Sequence, residues 1–261
     1  MKLNIEEIED TSKGKIGLLL AHGPTLSNDI KKIYEVSKDK NKFTLFTTGD
    51  TCVLENAGYN FDLDYWCIAN PTFRIQNEHH KINKYANVKF VYADTMDKTK
   101  NVDQILKVDY VPFDQRHFGG KPCTENWKNG DIVKIPNDYY FCCHHENQDY
   151  FSRKTIQEYV RDKCKSKERC TTGDTSALHM LSTAIITGCT EIYVFGVDLN
   201  YNLGYVDKQT QNSDTFDPWI PRIIDDFRIL TQSAKNIGIN VFNVSDISPI
   251  KSVVPTKRFD M

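Results

Sequence analysis

The chain has 261 residues, of which 39% are hydrophobic, 26% charged and 11% aromatic; this balance excludes a disordered, collagen-like or coiled-coil chain. The 33 basic and 35 acidic side chains leave a net charge of −2. That lacks the basic excess of a protein that rides the nucleic-acid backbone, and it gives no simple electrostatic pull toward an anionic membrane.

Residues 16–21 (IGLLLA) form a short continuous apolar run, the pattern of a strand buried on both faces. Residues 43–48, 65–69, 88–92, 191–197 (EIYVFGV) and 240–244 read the same way. Helical patterns lie between them. Residues 28–37 place Ile30, Ile33 and Tyr34 on one face, with Ser27 as the expected N-cap. Residues 155–165 do so with Ile156, Tyr159, Val160 and Cys164. Residues 176–187 are apolar nearly all round and predict a buried helix ended by Gly188. Residues 221–236 predict a last helix with Ile224, Phe227 and Leu230 inward.

Strands alternating with helices mean βαβ units, hence an α/β fold with a mainly parallel sheet covered on both faces. The polar, aromatic stretch 94–170 has weak periodicity and reads as a lid or insertion contributing to a second substrate's site. The sheet domain is then 1–93 together with 171–261. No run approaches the ~20 apolar residues of a membrane helix. The opening residues carry Glu6, Glu7, Glu9 and Asp10 and no apolar run, so they do not read as a secretory signal. The expectation is a cytoplasmic protein, a homo-oligomer, with peripheral contact at the inner membrane face left open. Its eight cysteines contain no CxxC and read as reduced thiols. Cys142, Cys143, His144 and His145 are adjacent, but neighbouring side chains diverge along a strand and do not readily converge on one ion. A strand end with buried thiols is the simpler reading, and no metal site is expected.

Ligands on a parallel sheet bind outside the carboxyl ends of its strands. After the first strand stands His22-Gly23-Pro24-Thr25, where glycine lets backbone approach a ligand; an ordinary strand-to-helix turn has the same residues. After the third stands Asn70-Pro71-Thr72, whose polar groups can read a base or ribose edge or simply form an Asx turn. Thr175-Ser176 opens the apolar helix, and Gly196-Val197-Asp198 closes the strand that follows it. No Walker A, GxGxxG or GxSxG pattern occurs.

From Lys15 to about Ser245 this array resembles the bacterial CMP-sialic-acid-dependent sialyltransferases of glycosyltransferase family 42. It also resembles their wider relatives, the flagellin-glycosylation motility factors and the archaeal 6-hydroxymethyl-dihydropterin diphosphokinases. The resemblance lies in Gly23-Pro24-Thr25 (Thr for the family's Ser), in Asn70-Pro71-Thr72, and in the ungapped run from Thr175 to Asp198. It implies a Rossmann-like nucleotide-binding sheet and transfer of a sugar from a CMP-activated donor, an acidic sugar such as sialic acid or a relative, to a glycan hydroxyl. The opening turn, Asn70 and the Thr175-Ser176 pair would hold the nucleotide together with Thr72, Gly49, Gly196 and Asp198. Tyr201, or Asn200, and Tyr205 would hold the leaving phosphate, so no metal cofactor is required.

Two departures stand out. The family's histidine base is missing: between the tyrosines and the last helix the chain offers Asp207, Asp214, Asp217 and Trp219. Asp217 is the nearest base, and His144 or His145 of the insertion is the other candidate. The family's second-strand asparagine is also replaced, by Thr48-Gly49-Asp50. Two rival readings follow. One is a Mg²⁺-dependent pterin-type diphosphokinase holding its metal through Asp198, Asp50 and Asp174. The other is a nucleotide-sugar-binding protein that has lost its base.

Overall fold

The computed structural model describes residues 1–69, 72–94, 101–114, 117–119, 132–135, 139–142, 155–167, 175–208 and 220–261. Seven strands form one sheet: β1 (Ile16–Leu20), β2 (Phe43–Thr48), β3 (Tyr65–Ile68), β4 (Lys89–Asp94), β5 (Asp109–Asp114), β9 (Glu191–Phe195) and β10 (Asn240–Asn243). Every neighbouring pair is parallel, and the order is β10-β9-β1-β2-β3-β4-β5. The expected α/β sheet is present, and the six expected strands lie within a residue or two of their predicted ends. Three short strands, β6 (His117–Gly119), β7 (Ile132–Ile135) and β8 (Tyr139–Cys142), make a separate antiparallel sheet in the order β6-β8-β7.

A parallel sheet with covered faces needs apolar residues at every strand position, and alternation then sends them to opposite sides. Leu19, Phe46, Cys67, Val91 and Val194 pack on the face covered by α5 (Ile156–Lys163), α6 (Ser176–Ile186) and α7 (Ile220–Lys235). Leu18, Leu20, Leu45, Trp66, Phe90 and Phe195 pack on the other. That face is covered by α1 (Ile30–Val36), α2 (Cys52–Asn56), α3 (Thr72–Ile82) and α4 (Val102–Ile105). Helix α6 is buried from Ala177 to Ile186, because the sheet, α5 and α7 enclose it. Gly188, at φ +83°, turns the chain out of it.

Two expectations need correction. Ser27 does not cap α1. Pro24 instead opens a 3-10 turn, Pro24–Asn28; the Ser27 hydroxyl donates back to Pro24 O at 2.7 Å, and Asp29 takes the N-cap position. The 94–170 span is also not all insertion. Strand β5 extends the main sheet, and Ile156, Val160 and Cys164 of α5 belong to the core against α6, so the sheet layer runs on to Asp114 and resumes at Thr155. Strand β5 escaped notice because Pro112 interrupts it. A proline is tolerated on a sheet edge, where no ladder bond needs its N–H. Among the described residues, the outer side of β5 is met by the opening residues, where Leu3 N–H donates to Tyr110 O at 2.8 Å and Tyr110 N–H to Met1 O at 3.0 Å.

Burial pushes the thiols of Cys67 and Cys189 up to about 12. At pH 8 each is then about one part in ten thousand thiolate. Peptide mapping after iodoacetamide treatment at pH 8 should therefore find both unmodified in the folded protein and alkylated after guanidinium unfolding. Rapid native alkylation of either would contradict this packing.

Candidate active site

The strand order reverses between β1 and β9: successive strands run one way from β1, while β9 and β10 lie on its other side. Such a switch point opens a crevice at the carboxyl edge, because the connections leave toward opposite faces. Here two loops meet across it. Gly23 N–H donates to Gly196 O at 2.9 Å, and Ala21 N–H to Phe195 O at 3.0 Å. A Cβ on Gly23 would lie 2.4 Å from Gly196 O; one on Gly196, at φ +67°, would lie 2.2 Å from Ala21 O. No side chain fits at either position. The glycines thus let two loops approach each other, where the sequence suggested approach to a ligand.

Asp198 buckles the contact. Only 4% exposed, it accepts the Thr25 N–H at 2.9 Å, the Thr25 hydroxyl, and the Ser245 hydroxyl at 3.2 Å. Thr25 and Asp198, both expected at the nucleotide, are therefore engaged with each other. The loop after β9 is tied in as well, since Val206 N–H donates to His22 O at 2.9 Å.

At the end of β2 the Thr48 hydroxyl donates to Cys67 O at 2.8 Å, and Gly49, at φ +65°, receives the Trp66 indole N–H on its carbonyl at 3.0 Å. Asp50 accepts the Cys52 N–H at 3.1 Å and faces the Lys81 ammonium at 3.4 Å. His22, 5% exposed, sits between the first two strand ends with Nε2 3.1 Å from Thr47 Oγ1. Sequence reasoning passed over it; its place directly before Gly23 was the available signal. Asp207, also buried, accepts from the Asn56 carboxamide at 3.2 Å.

At the end of β3 the Ala69 N–H donates to Ser176 Oγ at 2.9 Å, and Thr175 caps α6 by accepting the Ala177 N–H at 3.3 Å. The start of α6 is thereby held at the carboxyl edge, where the positive end of the helix dipole favours an anion. Gly23, Pro24, Thr25, Gly49, Thr175, Ser176, Gly196 and Asp198 all stand on this one edge.

Tyr205 is half-buried against the core on the α1 face. Tyr201 opens the 3-10 turn Tyr201–Leu203, and Thr72 opens α3. Asn70, His144, His145, Asp174 and Asp217 lie outside the described residues. Among the described residues no three His, Cys, Asp or Glu side chains cluster as a metal would need. Asp198 and Asp50, two of the three carboxylates of the metal-dependent alternative, hold the protein groups named above.

On the β10 side of the Gly23–Gly196 contact, a cleft of about 250 Å³ opens between residues 25–29 and 244–247. Burial raises the Asp29 carboxyl in its wall above its ordinary value, against the opposing pull of Lys32.

No family model matches the chain, and no curated protein matches it in sequence. Among solved structures it is similar to the MAf glycosyltransferase from Magnetospirillum magneticum AMB-1. The TM-score is 0.50 at 15% identity, over 96% of this chain and 34% of that one. The chain thus spans about a third of that structure's length, and the likeness is one of fold. The apo alpha-2,3-sialyltransferase from Campylobacter jejuni aligns with TM-score 0.44 at 15% identity, over 94% of this chain and 81% of that one. The fold agrees with the resemblance carried by Gly23-Pro24-Thr25 and the Thr175–Asp198 run.

Asp198→Ala would leave the Thr25 N–H and two hydroxyls without their acceptor and is expected to cost about 3 kcal/mol, in the range for hydrogen bonds to a charged group. Urea unfolding measures it; a loss well under 1 kcal/mol would show that the three loops hold together without the carboxylate. Gly196→Ala should be at least as harmful, combining a positive φ with backbone overlap.

Proposed function

We propose that the chain is a glycosyltransferase that moves a sugar from a CMP-activated donor, an acidic sugar or a relative, to a glycan hydroxyl. One observation carries the reading: the sequence motifs that resemble the sialyltransferase family fall, wherever they are described, on the carboxyl edge of the sheet. That is where an α/β sheet takes a nucleotide.

In this reading the start of α6, with Thr175 and Ser176, receives the donor's phosphate. Asn70 and Thr72 read the nucleoside, beside Gly49. The acceptor oxygen attacks the donor's anomeric carbon as the bond to the phosphate oxygen breaks. The nucleoside monophosphate leaves with the electron pair, and the Tyr201 and Tyr205 hydroxyls donate to it. Asp217 or His145 takes the acceptor's proton. The charge on the leaving group is met by hydrogen-bond donors, so the reading requires no metal.

A thermal-shift panel of CMP, CDP, UDP, GDP and ATP, each with Mg²⁺ and with EDTA, tests the donor. CMP should stabilise most, by about 2.7 kcal/mol at 100 times its Kd, and equally in EDTA. Stabilisation by ATP that needs Mg²⁺ would favour the diphosphokinase instead. Once a donor is found, the base is read from kcat. Asp217→Asn or His145→Asn should lower it by about 10²–10⁴-fold with CMP affinity nearly unchanged. Tight CMP binding with no transfer from any CMP, UDP or GDP sugar would mark a binding protein without catalysis.

A further inference from the structure

The cleft of about 250 Å³ beside the Gly23–Gly196 contact lies on the opposite side of β1 from the ends of β2 and β3, where the nucleotide is placed above. Its walls are of two kinds. Val244 and Ile247 give an apolar side, with Ile247 59% exposed and so open to a ligand in the cleft. Asn28, Asp29 and Asp246 give a polar side. Thr25 and Ser245 also line it, but their hydroxyls are donated to Asp198.

Asp29 is the telling residue. It stands at the N-cap of α1, where an aspartate ordinarily accepts a backbone N–H from the first turn. Its side chain makes no cap hydrogen bond. Burial disfavours its charge, with Lys32 of α1 the opposing cation and Asp260 of the C-terminal segment a further anion. A partly desolvated carboxylate that does not cap its own helix costs stability. Carboxyl groups perturbed in this way cluster at functional sites, and this one faces the cleft.

Size and charge define that ligand. A drug-sized molecule needs roughly 300–1,000 Å³, so this cleft takes one ring, not a nucleotide. The carboxylates of Asp29 and Asp246 repel a phosphate. An ion would leave the Val244–Ile247 wall without a partner. A ring with hydroxyls on its edge and C–H groups on its face satisfies both walls at once. We propose that this cleft binds one neutral sugar ring, its hydroxyls donating to Asp29 and its C–H face lying on Val244 and Ile247. That the ring is the acceptor's rests on the transferase reading; that the cleft takes a sugar ring does not.

Saturation-transfer NMR tests it on the whole chain without nucleotide, using methyl galactoside, methyl glucoside, methyl mannoside and N-acetylglucosamine as probes. At least one should receive saturation on its ring protons. Asp29→Ala and Ile247→Ser should each weaken it, Asp29→Ala by about tenfold, as for one charge-assisted hydrogen bond. Asp29→Asn should weaken it too while melting at or above the wild-type temperature at pH 7, since the desolvated charge is gone; this separates loss of binding from loss of fold. No signal from any glycoside, an unchanged signal in the variants, or displacement of the glycoside by Ca²⁺ would overturn the proposal. So would loss of CMP stabilisation in the variants, which would place the cleft in the nucleotide site. Glycoside binding in a protein that ignores CMP would keep the sugar ring and remove the transferase reading.

Discussion

Two peptide segments that leave the sheet at neighbouring strands come so close, at Gly23 and Gly196, that neither tolerates a methyl group. Everything proposed for the carboxyl edge hangs on that contact. It fixes where the turn after β1 can go, and so where Pro24 starts its 3-10 turn and where α1 begins. It brings Thr25 within reach of Asp198, whose carboxylate then joins the turn after β1, the end of β9 and the segment after β10. Because the contact closes the gap directly over β1 and β9, the carboxyl edge divides into two: a stretch over β2, β3 and the start of α6, and a smaller cleft toward β10. In the reading proposed above, the first meets the donor's phosphate and the second the hydroxyls of a sugar. A transferase needs two such neighbouring and chemically opposite surfaces.

The elements that could be read from the residues were those whose environment is uniform. Strand β2 (FTLFTT) is buried at all six positions, and α6 at ten of eleven, so an apolar run alone announced them. Helix α3 did not announce itself. Its fully buried anchors include Ile75 and Ile82, seven residues apart, with mostly polar residues between. Strand β5 was hidden by Pro112 and by its flanking aspartates; only the pairing with β4 makes it a strand.

The site divides in the same way. That Gly23, Thr25, Gly196 and Asp198 matter was visible from their places at strand ends. What they do was not, because the partner of Thr25 lies 173 residues further along the chain. A motif shows that a position is constrained without showing whether a ligand or another loop constrains it. His22 and Asp29 were missed for a related reason: a histidine after a strand and an aspartate near a helix start both have ordinary explanations. Only the missing cap bond and the cleft set Asp29 apart.

Strand β1 pairs with β2, 27 positions on, and with β9, 175 positions on, since Ile16 lies opposite both Phe43 and Glu191. The first pairing closes a short loop; the second brings together distant parts of the chain, and contacts of such long range slow folding. The first four strands and their helices can assemble while the edge of β1 still awaits its neighbour. Asp198 and Ser245 arrive with the last quarter of the polypeptide. Until they dock, the turn after β1 lacks its carboxylate buckle and the cleft lacks its wall from residues 244–247. On the proposed reading, the half of the chain that carries most of the sheet therefore lacks, on its own, both the start of α6 and the far wall of the cleft that a ligand would meet.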